Sequence, residues 1–306
     1  MAAQRMLLTD GRWHFQHGPM DIIIGAQGHA AALEAAHAQA WQRFATLLDE
    51  LVAELPVLRL PVEGGPCPLR GVVARRMWQA CAPVRAGFIT PMAAVAGAVA
   101  QELVACYQRD GVHRAWINNG GDIALHLQPG ASVRIGLYAD LARFRASEVV
   151  RGITTDGRFD VPHAMPVRGV ATSGWRGRSF SLGIADSVTV LAATAAEADA
   201  AASMVANAVD VADVRIQRRP ACELQDYSDL GAIPVTVDVP TLGPAKVAQA
   251  LALGRARACA LQAAGLLHSA FLVCQGQAAV VEGKVQPRME WDTAAAEADP
   301  MGSGFA

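Results

Sequence analysis

The sequence predicts an α+β fold of two lobes, in which mixed or antiparallel sheets are flanked by helices. Two observations support this class. Hydrophobic residues make up 52% of the 306-residue chain, which is enough for a sizeable core. Short strand-forming segments joined by tight turns are mixed irregularly with long helical segments, unlike the regular βαβ order of a parallel sheet.

The first predicted elements are a hairpin and a long helix. Residues 13–16 and 20–24 are strand-forming runs separated by a His-Gly-Pro turn. Residues 30–55 carry apolar side chains at a spacing of three to four, which predicts an amphipathic helix over a sheet. The prolines and glycines of residues 60–67 predict a loop after it.

The middle of the chain predicts a second helix and three strands. Small apolar residues over 93–107 indicate the helix. Residues 115–117 and 123–127 indicate strands joined across 118–122, and residues 133–138 indicate a further strand.

A polar stretch at 143–168 predicts irregular structure, and the apolar, β-branched residues 187–191 predict a buried strand. Thr194 and Glu197 match a capping box, in which the hydroxyl and the carboxylate bond to backbone amides at the start of a helix.

The last predicted elements are a helix over 244–266 and a hairpin of residues 270–274 and 278–281. We expect residues 1–286 to form a single two-lobed domain. Residues 287–306 lack apolar periodicity and are predicted to be a disordered tail.

Composition excludes several classes of function. The 26 basic and 28 acidic residues are interspersed and give a net charge of −2, so no basic stripe is available for nucleic acid. Apolar stretches end well short of the roughly 20 residues that span a bilayer, and the N-terminus lacks a secretory pattern. We therefore expect a cytoplasmic protein without membrane or nucleic-acid partners. The six scattered cysteines predict small buried apolar residues rather than a zinc or disulfide framework.

The first candidate binding loop lies between the two central strands. Asn119, Gly120, Gly121 and Asp122 combine residues that tolerate left-handed backbone with glycines that leave room for a ligand. Such a loop lets backbone amides approach a phosphate or a ring edge. The alternative is an ordinary tight turn, because Asn-Gly is a strong hairpin signal.

The second candidate loop is the small-residue segment 169–174. Thr172 and Ser173 offer hydroxyl groups, and Gly174 leaves its backbone open. The alternative is a surface turn.

The third candidate is a pair of side chains on the helix that follows Thr194. Asp199 and Ser203 are four residues apart and therefore share one helix face. A carboxylate and a hydroxyl in this arrangement can bind Mg²⁺, with water and ligand phosphate completing the shell. The alternative is that Asp199 faces solvent and Ser203 fills a packed groove.

Taken in order, these segments resemble a known superfamily. "INNGGDIAL" at 117–125, "GVATSG" at 169–174 and "DSVTVLAATAAEADAAAS" at 186–203 resemble the ApbE superfamily. Its FAD:protein FMN transferases carry an NxGGDI loop, a TSG loop and an ADAxxT helix. Over residues 12–286 the chain is similar to a non-canonical, uncharacterised branch of that superfamily.

The resemblance implies a two-lobed ApbE-like fold and a role for each candidate. It places the 119–122 loop against a flavin nucleotide, lines the pocket with residues 172–174, and assigns Mg²⁺ to Asp199 and Ser203. The implied cofactors are FAD or another nucleotide and Mg²⁺, and the implied partner is a small nucleotide-like molecule.

The sequence departs from the transferases at two points. Ala96 stands where they have the lysine of an Ala-Lys-Gly helix start. The segment before the strand at 187 is also too short for their His-Asp-Pro-x-Thr-Gly element, and no histidine lies between Gly174 and Asp199. The resemblance therefore implies nucleotide and cation binding, with a transferase-like action on the pyrophosphate left open, and the two departures count against canonical FMN transfer.

Two other functions stay open. Members of the branch have been linked to sulfur incorporation into amino acids, which would call for a reactive thiol, with Cys81 as the first to test. A non-catalytic binding or assembly protein on the same scaffold is the other alternative. The small residues of 93–100 are compatible with a homo-oligomer.

Overall fold

The computed structural model describes residues 2–137, 157–283 and 289–291 and has the predicted α+β class. The strands are β1 (Gln4–Leu7), β2 (Trp13–His17), β3 (Met20–Gly28), β4 (Val112–Asn119), β5 (Asp122–Leu127), β6 (Ser132–Leu137), β7 (Gly157–Pro162), β8 (Gly169–Ser173), β9 (Ser187–Ala192), β10 (Gln217–Pro220), β11 (Pro234–Asp238), β12 (Ser269–Cys274), β13 (Gln277–Val281) and β14 (Met289–Trp291). The helices are α1 (Ala30–Ala53), α2 (Leu55–Leu58), α3 (Val72–Cys81), α4 (Val95–Val104), α5 (Ala195–Ala208), α6 (Ala221–Leu224) and α7 (Pro244–Ala263).

A nine-stranded sheet organises the molecule. Its strands follow the order β1-β2-β3-β4-β5-β8-β9-β12-β13, and every neighbouring pair is antiparallel. A three-stranded sheet, β14-β7-β6, and a two-stranded sheet, β10-β11, are also antiparallel. Among the described strands the sheets are thus antiparallel rather than mixed.

The large sheet separates two hydrophobic cores. One core joins it to the helices, and the other joins its opposite face to the three-stranded sheet. Because side chains alternate along a strand, Val188 and Val190 of β9 enter the first core and Leu191 enters the second. Covered on both faces, β9 is buried along its whole length, as its sequence predicted.

Helix α5 begins at the predicted capping box with one difference. Thr194 Oγ1 accepts a hydrogen bond from the Glu197 amide at 3.3 Å, as expected. The Glu197 carboxylate, however, accepts from the Thr194 hydroxyl at 3.0 Å. The alanines of α5 allow other backbones to come close: a Cβ on Gly97 of α4 would lie 2.2 Å from the carbonyl oxygen of Ala195.

Several boundaries differ from the sequence prediction. Helix α4 is shorter than 93–107 because its two ends tighten into 3₁₀ turns at Pro91–Ala94 and Ala105–Tyr107. Strand β7 lies inside 143–168, where irregular structure was predicted, because its polar residues alternate with buried Phe159 and Val161. Residues 138–156, which include part of that region, lie outside the described residues.

Of the tail that was predicted to be disordered, the structure describes one short segment. Met289–Trp291 forms β14 and pairs with β7, whereas the rest of 287–306 lies outside the described residues. The assignment of 1–286 to a single domain stays a prediction. Across the ranges that the structure covers, no helix is both long and apolar enough to cross a membrane.

Candidate functional site

A cleft of about 780 Å³ opens on the helix side of the large sheet. It lies among α1, α2, the first turn of α4, α5, the β4–β5 turn, the end of β8 and two segments, 174–182 and 225–230. It collects eight of the nine predicted site residues: Asn119, Gly120, Asp122, Thr172, Ser173, Gly174, Asp199 and Ser203. Gly121 does not line it.

The β4–β5 turn is the tight hairpin turn that its Asn-Gly sequence indicates, and it also borders the cleft. Gly120 and Gly121 have φ values of +69° and +113°, which favour glycine and fit a type I′ turn. The Gly121 amide donates to Asn118 Oδ1 at 2.8 Å, which stabilises the turn. Asn119 Nδ2 donates to the Ala96 carbonyl at 3.1 Å and ties the turn to α4.

The end of β8 sends its two hydroxyl groups to opposite faces of the sheet. Thr172 is paired with Thr189 of β9, and their Oγ1 atoms are 2.9 Å apart. This pair shares the face of Val170, which belongs to the core against the three-stranded sheet. Ser173 has the opposite parity and lies on the cleft face. The Thr172 hydroxyl therefore lies on the face of the sheet opposite the cleft, although the residue itself borders the cleft.

Asp199 is engaged with the start of α4 rather than simply facing solvent. Its Oδ2 accepts a 2.9 Å hydrogen bond from the Gly97 amide, one of the amides that a helix leaves unpaired at its N-terminus. Burial raises the pKa of Asp199 to about 7, although the amides of Gly97 and Ala96 act in the opposite direction. Ser203 follows one helical turn later and also lines the cleft.

Asp122 is the second carboxyl group of the cleft. Burial raises its pKa well above the ordinary value, the negative charge of Asp199 raises it further, and the Thr172 amide opposes the shift. Keeping both carboxylates charged is unfavourable unless a cation lies between them. The sequence assigned Asp122 to the nucleotide and did not foresee this pairing.

This donor set fits a magnesium ion. Mg²⁺ takes one or two carboxylates from the protein and completes its shell with water and phosphate oxygens. Asp122, Asp199 and Ser203 offer two carboxylates and one hydroxyl. Within the described parts of the chain, no group of three or more His, Cys, Asp or Glu side chains could hold a metal, which makes a structural zinc-type site a poor fit there.

The cleft also contains groups that sequence reasoning missed. Arg59 and Arg178 line it, and no motif marks either residue. An apolar wall comes from α1, α2, the residues before α4 and α4 itself, including Leu48, Leu51, Leu55, Leu58, Phe88, Met92 and Val99. The helical spacing of Leu48 and Leu51 indicated that α1 has a buried face. It did not indicate that part of this face would border a cleft.

The segment 225–230 forms one rim of the cleft. Thr90 Oγ1 donates to Asp229 Oδ2 at 2.5 Å, which ties this segment to the residue before the 3₁₀ turn at Pro91–Ala94. Tyr227 has a φ of +60°, unusual for a residue with a large side chain, and its side chain is 83% exposed. The cleft thus has an aromatic ring at its mouth.

The cysteines do not supply a thiol nucleophile to the cleft. Cys81 is buried, its Sγ donates to the Thr90 carbonyl at 3.4 Å, and burial together with the charge of Asp199 raises its pKa. Cys106 and Cys274 are buried as predicted. The prediction is wrong for Cys222 and Cys259, which are exposed because they lie on the solvent sides of α6 and α7.

Comparison with known proteins gives a family and several relatives. A family model described as "AbpE bacteria" matches residues 5–280. The UPF0280 protein of Methanopyrus kandleri is 34% identical over 213 residues, which are 67% of this chain and 77% of that protein. The UPF0280 protein of Methanosarcina acetivorans is 32% identical over 200 residues, covering 65% of this chain and 72% of that protein. The UPF0280 protein of Methanospirillum hungatei is 39% identical over 135 residues, and the match covers 44% of this chain and 50% of that protein.

Two solved structures are distantly similar. The apo form of the flavinyl transferase ApbE from Pseudomonas stutzeri aligns over 92% of this chain and 94% of its own, with 13% identity and a TM-score of 0.41. The apbe protein of Thermotoga maritima aligns over 92% and 96%, with 13% identity and a TM-score of 0.37. Similarity at this level carries no argument about the site residues.

Proposed function

We propose, because this chain belongs to the AbpE family of bacteria, that its cleft binds a flavin nucleotide such as FAD, or a related nucleotide, together with Mg²⁺. The observation that carries the proposal is that Asp122, Asp199 and Ser203 line one cleft beside the glycine turn, with the two carboxyl groups close enough for the charge of Asp199 to raise the pKa of Asp122. Two neighbouring carboxyl groups with raised pKa values indicate a site prepared for a cation.

Asp122, Asp199 and Ser203 would hold the ion. When bound, Mg²⁺ would neutralise charge on phosphate oxygens of the ligand. The Gly97 hydrogen bond to Oδ2 holds the Asp199 carboxylate in place at the wall of the cleft. Ser203 is held by the same helix as Asp199, so the two donors keep a fixed spacing.

The rest of the cleft suits the ring system of a nucleotide. The leucines of α1 and α2 and the side chains of Phe88 and Met92 offer an apolar surface, and Tyr227 offers an exposed ring for stacking. A cleft of about 780 Å³ also has room for a ligand of this size. This open volume favours a ligand site over a scaffold whose loops pack against each other.

Any reaction would act on the pyrophosphate of the ligand, and canonical FMN transfer is not part of the proposal. At the start of α4, alanine at position 96 replaces the lysine that the transferases have there. Among the described residues, no histidine lines the cleft that could serve as a base. A sulfur-transfer role is also not favoured, because no described cysteine lines the cleft.

Calorimetric titration of the purified protein with FAD, with Mg²⁺ or with a chelator, tests this function. We expect FAD binding that depends on Mg²⁺. Asp122→Asn and Asp199→Asn should weaken the Mg²⁺-dependent binding about tenfold or more, since each removes a charged ligand. Asn keeps an acceptor for the Gly97 amide, so the second variant should still fold.

Asp49→Asn is the matched control, because Asp49 is exposed on α1 and does not line the cleft. Absence of binding of FAD, FMN and ATP in the presence of Mg²⁺ would refute the proposed function.

A further inference from the structure

Arg178 lies on the wall of the cleft that follows β8. Gly174, Gly177 and Ser179 of the same segment also line the cleft. The guanidinium group of Arg178 lies over the β4–β5 turn: a Cβ on Gly120 would be 3.1 Å from its Nη1 atom. A side chain at position 120 would therefore crowd the guanidinium group of Arg178. Because residue 120 is glycine, the guanidinium group can lie directly against the turn.

The donors of Arg178 are available to a ligand. The side chain is exposed, and it has no hydrogen bond or ion pair with any described residue. Arg176 behaves differently, because its guanidinium packs over the ring of Trp175 at 4.7 Å. A guanidinium group carries five N–H donors in a planar arrangement that matches the oxygens of a phosphate.

The charges of the cleft assign a position to an anion. Asp122, Asp199 and Asp229 are its acidic residues, and Arg59 and Arg178 are its basic ones among the described residues. An anion is repelled by the carboxylates and attracted to the arginines. Arg178 lies against Gly120, and both residues line the same cleft as Asp122, so an anion bound by the arginine would share the cleft with the proposed cation.

We propose that Arg178 binds a phosphate group of the ligand above the Gly120 turn and thereby selects phosphorylated ligands over unphosphorylated ones. This inference rests on the proposed nucleotide function and names the group that the site recognises. Bidentate, charge-assisted hydrogen bonds are the strong class of hydrogen bond in proteins and give geometric selectivity. Because Arg178 is exposed, its contribution should weaken as salt concentration rises.

The test compares FAD, FMN and riboflavin on the full chain with Mg²⁺ present. Arg178→Gln should weaken FAD and FMN binding about tenfold or more and leave riboflavin binding unchanged. Arg178→Lys should bind FAD and FMN with an affinity between those of wild type and Arg178→Gln, because lysine keeps the charge and loses the planar donor pair. Arg75→Gln is the control, since Arg75 is exposed, has no described side-chain partner and lies outside the cleft.

Equal binding of FAD by wild type and Arg178→Gln would overturn the inference, and so would an equal loss for FAD, FMN and riboflavin. If the wild-type protein binds no flavin, the proposed function fails separately. Inorganic pyrophosphate with Mg²⁺ then replaces the flavins: binding that Arg178→Gln weakens would support the inference, and binding that it leaves unchanged, or no binding, would overturn it.

Discussion

The backbone amide of Gly97 donates a 2.9 Å hydrogen bond to Oδ2 of Asp199, which joins the first turn of α4 to α5 at the wall of the cleft. The bond requires the two helices to come unusually close. A Cβ on Gly97 would lie 2.2 Å from the Ala195 carbonyl oxygen and 2.9 Å from the Asp199 Cβ. The same contact therefore orients the proposed metal ligand and fixes the helix packing.

Gly97→Ala should separate α4 from α5. Because the obstructing atoms are mostly backbone, we expect the free energy of unfolding to fall by about 1–3 kcal/mol. Urea denaturation measures this change. Gly243→Ala is the control, because nothing lies within 4 Å of a Cβ at that position. Equal stability of the Gly97→Ala protein and wild type would contradict the close packing.

The stability of the unliganded protein should depend on the ionisation of Asp199. Its pKa is raised from 3.8 to about 7 in the folded state, so between these values the folded chain holds a proton that the unfolded chain has released. The free energy of unfolding should therefore decrease as pH rises from about 4 to about 7 and then level off. Asp122 acts in the same direction.

Asp199→Asn should reduce this slope, because the amide does not titrate. Denaturation at a series of pH values, without divalent cations, makes the comparison. A wild-type protein whose stability rises across that interval, with the same profile in the variant, would show that Asp199 is not buried in this way.

Glu102 should show the opposite pH dependence. Arg43 and Arg76 donate to its two carboxylate oxygens at 2.7 and 2.8 Å, linking α1, α3 and α4. Burial by itself would raise the pKa of Glu102, but these hydrogen bonds and charges together lower it below 4.5. This stabilisation is present above about pH 4.5 and is lost as pH falls through the lowered value.

Glu102→Gln should lower the free energy of unfolding by about 1–3 kcal/mol near neutral pH. The control is Glu223→Gln, which disturbs an exposed pair with Arg219 whose side chains are both 53% accessible. That variant should change stability by less than about 0.5 kcal/mol. Equal effects of the two substitutions on urea denaturation would contradict the role of burial.

Alkylation of the native protein should distinguish its exposed cysteines from its buried ones. Cys222 and Cys259 are exposed and should react with iodoacetamide, whereas Cys81, Cys106 and Cys274 are buried and should be protected. Burial also raises the pKa of Cys81, so little thiolate exists to react. Mass spectrometry of peptides reads the result. Rapid labelling of Cys81 would reopen the sulfur-transfer alternative.

Local patterns predicted the parts of the site that local structure determines. The Asn-Gly-Gly sequence predicted a turn between two strands, and the four-residue spacing of Asp199 and Ser203 placed both on one side of α5, where they line the cleft. These relations depend on neighbours in the chain. They could be predicted because hairpin turns and helix faces repeat with fixed geometry.

Long-range relations could not be predicted in the same way. The pairing of Asp122 with Asp199 and the position of Arg178 over Gly120 depend on how β5, α5 and the segment after β8 pack together. The face occupied by Thr172 depends on the register of β8 against β9, and a shift of one residue would exchange it with Ser173. Helix α3 was missed although Val73, Met77 and Ala80 have helical spacing.

Strand β14 has a practical consequence for shortening the protein. The sequence suggested that the domain ends near residue 286, yet Met289–Trp291 pairs with β7 beyond that point. A chain that stops at residue 286 would leave the hydrogen-bonding groups of β7 open on one side. Open strand edges recruit other strands, so the shortened protein should aggregate more readily than a chain that includes Trp291.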